Sequence, residues 1–163
     1  MTEFAVGDGR IQVDVEATQA WYAAHGQLAG GCDCGYCRNF AAAVEGVPPA
    51  AGAFLARLGL DIRRPGEVME WCREADGRHW YTAQYHVAGT VLAAPSGGLE
   101  AAPEVLIWFH TGQGPFLPAF PEPFFQVEAD LRLPWLLDEP EAGVQIPVKE
   151  NPMTGEIHHE RTV

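Results

Sequence analysis

The sequence predicts an α+β fold: a mainly antiparallel β-sheet with a short helical pair inserted after the first strand. Three observations lead there. Apolar residues alternate with polar ones at Ile11, Val13, Val15 and Ala17, and again at Phe125, Val127, Ala129, Leu131 and Leu133, the period of a strand with one buried face. Two β-rich runs, 67–75 and 78–92, flank Asp76-Gly77, a dipeptide that suits a tight type I′ turn. Strands also outnumber helices without the regular strand–helix alternation of a parallel sheet.

Taken in order, the first strand is expected over 10–18. Residues 20–31, rich in Ala and Gly and holding Trp21, Tyr22 and His25, read as one helical turn and a loop. Residues 39–45 form a first helix and 49–58 a second, broken apart by Gly46 to Pro49 and stopped by Gly59. In the hairpin, a two-residue turn sets Arg73 opposite Trp80, Glu74 opposite His79 and Cys72 opposite Tyr81. A loop follows over 95–103. Residues 105–109 are apolar throughout and predict a central strand covered on both faces. Residues 111–123, with four prolines and two glycines, read as a surface loop pinned by Phe116, Leu117 and Phe120. A last strand over 144–148 is placed at an edge by Pro147, which has no N–H for a ladder. Residues 149–163 form a peripheral tail of one domain spanning 1–163.

Composition narrows function. Ten Lys and Arg against 22 Asp and Glu give a formal charge of −12, which opposes nucleic acid and anionic lipid. Neither a basic leader with an apolar run nor a bilayer-length apolar stretch is seen, so a cytoplasmic location is expected. Ser96-Gly97-Gly98 lacks the pattern of a hydrolase nucleophile, and Gly112-Gln113-Gly114 is followed by proline rather than a phosphate-binding helix.

The chemistry-bearing constellation is Cys32-Asp33-Cys34-Gly35-Tyr36-Cys37-Arg38-Asn39. Three readings compete. As a metal site, Cys34 and Cys37 have the spacing that grips one zinc ion, Cys32 adds a third sulfur, and His25 is the nearest fourth ligand. As a redox site, Cys34-Gly35-Tyr36-Cys37 resembles the two-cysteine motif of thioredoxin-like oxidoreductases, which implies Cys34 as nucleophile and Cys37 as resolving thiol; Asp33 and the Gly-rich approach depart from that family's pattern. As plain structure, the cysteines are small reduced hydrophobes in a tight turn, with Arg38 paired to Asp33 or another acid. The octapeptide also resembles an uncharacterised family of small bacterial proteins that share Cys-Asp-Cys, Tyr-Cys and Arg-Asn at this spacing before a short helix; that resemblance implies no activity.

Other candidates carry less. His158, His159 and Glu160 sit in the tail with diverging side chains. His79, His86 and His110 fall on strands beside aromatics, where a hydrogen-bonded structural role is the ordinary one, and Glu67, Glu70 and Glu74 could flank a site with His79. Trp71, Trp80, Tyr81, Tyr85, Trp108 and Phe109 all fall on strands and are assigned to the core. A pocket for a small molecule or protein segment is expected between the hairpin and the proline-rich loop. The resulting expectation is a non-enzymatic binding or accessory protein whose cysteine turn is structural and can hold zinc, with a thiol-disulfide oxidoreductase as the alternative.

Overall fold

The computed structural model describes residues 1–25, 31–111 and 117–141. Seven antiparallel strands and three helices follow in the order β1 (Thr2–Val6), β2 (Gly9–Val13), α1 (Val15–Ala24), α2 (Gly35–Ala43), a 3-10 turn (Val44–Gly46), α3 (Pro49–Arg57), β3 (Glu67–Arg73), β4 (His79–Ala93), β5 (Leu99–Ala102), β6 (Val105–His110) and β7 (Phe124–Leu133). The α+β, mainly antiparallel class is as expected. None of the described helices is long and apolar enough to cross a membrane.

The fifteen-residue β4 is the spine of the sheet. Along one edge it pairs with β7, then β6 and β5 outward; along the other it pairs first with β3, through Gln84, and then with β2, from Gly89 onward, with β1 outermost. Between those two partners, α1 takes over the vacated edge. The Tyr22 hydroxyl donates to His86 O (3.3 Å) and accepts from His86 N (3.0 Å), Thr18 Oγ1 accepts from Ala88 N (3.0 Å), and Asp14 N donates to Ala88 O (2.8 Å). Backbone groups that a strand would otherwise satisfy are met by a helix.

Several expectations need correcting, each for a local reason. The strand expected over 10–18 ends at Val13, because Asp14 caps a helix: its carboxylate accepts the N–H of Ala17 (2.9 Å), and the alternation of Val15 and Ala17 is coincidental to that turn. Residues 15–24 are therefore a ten-residue helix rather than a strand and a single turn. The hairpin forms, but Glu74 N donates to Arg78 O (2.7 Å) and Gly77 N to Glu74 O (2.9 Å), a three-residue loop with Gly77 at φ 86°. One extra loop residue shifts the register, so Arg73 faces His79, Cys72 faces Trp80 and, past a bulge, Glu70 faces Tyr81. Part of the loop expected over 95–103 is strand β5, paired with β6. Strand β6 is next to the edge, with Leu106 and His110 exposed, rather than central and covered on both faces. The strand expected over 144–148, the tail, Phe116 and part of the proline-rich loop lie outside the described residues.

The core lies on one face of the sheet, where Tyr81, Ala83, Tyr85 and Val87 of β4 and Phe125, Val127, Ala129 and Leu131 of β7 meet Phe40, Leu55 and Leu58 from the helical layer. Tyr81, Tyr85 and Phe109 are buried as expected. The three strand tryptophans are not: Trp71 is 55% exposed, and Trp80 and Trp108 are half-buried, with Trp80 carried by the opposite strand face from Tyr81. Alternation along β4 puts Trp80 on the face opposite Tyr81, since neighbouring side chains point to opposite faces.

Candidate metal and thiol site

The cysteine turn is the start of α2. Cys34 is the extended residue before the helix (φ −74°, ψ 163°), and its carbonyl accepts the N–H of Arg38 (3.0 Å). The helix begins at Gly35, four residues earlier than the sequence reading placed it, so Cys37 lies in its first turn. Unpaired N–H groups at a helix start favour negative charge there.

The sulfur atoms of Cys32, Cys34 and Cys37 all lie within 4.8 Å of one another. All four cysteines are free thiols; Cys32 and Cys34 are exposed, Cys37 is half-buried, and Cys72 sits exposed on β3. The three thiols are not equivalent. The backbone N–H of Cys37 holds the Cys34 thiol below its ordinary pKa, with help from the Cys32 and Cys37 side chains. Burial, reinforced by Cys32 and Cys34, pushes Cys37 up to about 12. Asp33 is not among the groups that shift Cys34; its carboxylate lies 3.6 Å from the Arg38 guanidinium.

The remaining motif residues fix the turn to the sheet. Asn39 is fully buried: its amide nitrogen donates to the Tyr81 hydroxyl (3.2 Å) and to Pro134 O (3.1 Å), and its oxygen accepts Leu136 N (2.7 Å). The Tyr81 hydroxyl in turn donates to Tyr36 O (3.1 Å). The Tyr36 ring meets Trp135 and His79 at 5.7 and 6.2 Å between centroids. Arg38 donates to the Asp33 carbonyl and to Glu139. Replacing Asn39 by Ala strips three hydrogen bonds from a closed site, for an expected loss of about 2 kcal/mol, since each buried polar group left without a partner costs about 1–3 kcal/mol. A lower melting temperature together with faster alkylation of half-buried Cys37 is the expected result; an unchanged alkylation rate would mean that Asn39 does not hold the turn.

Next to the Tyr36 ring sits His79, 2% exposed, with Nδ1 2.8 Å from Glu70 Oε1 and Nε2 3.1 Å from Glu141 Oε1, the latter off the hydrogen-bond line. Glu70 thus joins His79, whereas Glu74 binds Arg132 (2.8 Å) and Glu67 is half-buried near the start of β3. Trp135, Glu139 and Glu141 were missed from the sequence because nothing in their spacing links them to a motif about 100 residues earlier.

His25 stands outside the sulfur group. Its Nδ1 is 2.7 Å from Trp21 O and its ring stacks on Trp21 at 4.1 Å. His110 is exposed at the end of β6. His86 is buried against Phe120 and Phe124, with Nδ1 unpartnered among the described residues. The tail histidines lie outside the described residues. No protein-family model, curated protein or solved structure matches this chain.

Proposed function

We propose that this chain is a non-enzymatic accessory protein that holds a soft metal ion, zinc foremost, on Cys32, Cys34 and Cys37. The observation that carries the reading is the convergence of three sulfurs within 4.8 Å. Zinc–sulfur bonds of about 2.3 Å place tetrahedral sulfurs roughly 3.8 Å apart, a spacing that small thiol rotations reach from here. Cys34, already lowered, gives up its proton first, and bound metal draws the other two into thiolate form. His25 stands outside the sulfur group and would have to be brought to the metal to serve as fourth ligand; its Nδ1 faces the Trp21 carbonyl and so carries the proton, which leaves Nε2 with its lone pair. The resemblance of the octapeptide to a family of small bacterial proteins, and a cytoplasmic setting in which such thiols stay reduced, belong to the same proposal.

A specific observation favours a second reading. Cys34 is exposed and lowered while Cys37 is half-buried and raised, the asymmetry of an attacking and a resolving thiol. In that chemistry the Cys34 thiolate attacks a substrate disulfide, one substrate sulfur leaves as a thiol, and Cys37 then displaces the other, oxidising the pair to Cys34–Cys37.

One experiment separates the two. Untagged protein purified without chelator is assayed for zinc, and cobalt(II) is titrated into the metal-free form. We expect about one equivalent of metal with a sulfur-to-cobalt charge-transfer band, and affinity lowered roughly 100-fold or more by Cys34→Ser or Cys37→Ser. His25→Ala reports the fourth ligand through the ligand-field bands. A protein that takes up no cobalt yet reduces a model disulfide, with Cys34→Ser inactive, would replace the metal reading with the redox one.

A further inference from the structure

The sheet face opposite the core carries three tryptophans that the cysteine site does not use. Trp71 comes from β3, Trp80 from β4 and Trp108 from β6. Their polar edges are fixed internally: Trp80 Nε1 and Trp108 Nε1 donate to the two carboxylate oxygens of Asp130 (3.2 and 2.9 Å), and Trp71 Nε1 donates to Thr82 Oγ1 (3.1 Å). Trp71 and Trp80 lie 5.8 Å apart at 32°. Gly98 permits the placement of Trp108, since a Cβ there would come within 2.9 Å of the indole. The indoles are held as a platform, with their N–H groups already satisfied.

The carboxylates on this face are satisfied differently from the others. Asp130 accepts only from indoles, and Glu128 accepts from the Gln84 amide (2.9 Å); among the described residues neither forms an ion pair. Both are half-buried, so their charge is set beside aromatic faces without a neutralising cation. The chain itself shows what such a surface attracts. Arg132 lies 4.9 Å over the Trp80 ring while binding Glu74, a guanidinium held jointly by an indole and a carboxylate.

From these observations we infer that the Trp71–Trp80–Trp108 face docks a basic protein segment, seating a Lys or Arg side chain on the exposed indole with Glu128 and Asp130 as counter-charge. Charge complementarity selects the occupant: the chain carries −12, these two carboxylates lack cations, and indole faces bind cations best among aromatic side chains. The surface is independent of the cysteines, and its test leaves metal binding untouched.

The probe is a short peptide of alternating Arg and Gly, titrated against the full chain with tryptophan fluorescence and calorimetry. Saturable binding is expected, weakened about tenfold by Trp71→Ala, the effect of losing a cation–π contact of about 1–2 kcal/mol. Glu128→Gln, which keeps an acceptor for Gln84, should weaken it several-fold and flatten its salt dependence. Glu16→Gln on exposed α1 removes the same charge elsewhere and should change nothing. Equal weakening by Glu16→Gln and Glu128→Gln, full affinity in Trp71→Ala, or saturation by cellohexaose in place of the peptide would each overturn the inference.

Discussion

Gly89→Ala should unfold this protein or bring it close to unfolding. Gly89 lies where β4 passes from the β3 and α1 side onto β2, at φ 145°, and a Cβ there would stand 2.0 Å from Gln12 O and 3.0 Å from Val13 Cα. The obstacle is backbone on a paired strand, which cannot rotate away as a side chain would. Relief requires breaking the Val13–Gly89 pairing, at a cost of about 4 kcal/mol or more against a typical total of about 5–15 kcal/mol. Gly97→Ala, with open space around its Cβ, should leave stability within about 0.5 kcal/mol. Denaturant unfolding of the two variants beside the parent checks this, and a Gly89→Ala midpoint equal to the parent's would show that β2 does not depend on that contact.

The second large effect is a loss of stability in mild acid. Burial lowers His86 from 6.5 to about 4, and its ring is flanked by Phe120 and Phe124 with Nδ1 unpartnered. The unfolded chain therefore takes up a proton near pH 6.5 that the folded chain refuses until about pH 4. Stability is full above 6.5 and falls as pH drops through that interval, by about 3 kcal/mol at most. Carboxylates held low by their partners, Asp61 through Arg63 and Glu104 through Arg78, lose their contribution only on more acidic titration, below about pH 4.5. Chemical denaturation of His86→Leu at pH 7 and pH 5 should show a much flatter dependence than the parent. Parallel curves would mean that His86 is not the group responsible.

What the sequence disclosed followed the range of the forces involved. The alternation over β7, the paired β3 and β4 runs and the Pro49 start of α3 are local patterns, and each became the element it suggested. Errors arose where one side chain redirects the backbone. Asp14 converts an apparent strand into a helix, and a single residue added to the hairpin loop moves every cross-strand pair. At the cysteine site the sulfurs were legible from their spacing, and so was the Arg38 pairing to Asp33. The half-buried acids flanking His79 and the anchor at 134–136 were not, because they are joined to the motif only by folding. The tryptophans went astray for a different reason: position on a strand says nothing about which face is covered.

The helix lying along β4 also limits what can be added to this sheet. Where β3 stops and β2 has not begun, the stretch Tyr85–Ala88 of β4 would otherwise offer bare amide and carbonyl groups to a strand from another molecule. Tyr22, Thr18 and Asp14 plug it with two hydroxyls and one amide, a stopper that bonds like a neighbour but cannot be extended by one. Recruitment of an intruding chain is thereby pushed to the rims, where β1 and β5 are only five and four residues long and the seven-residue β3 is interrupted by its bulge, all poor templates for growth.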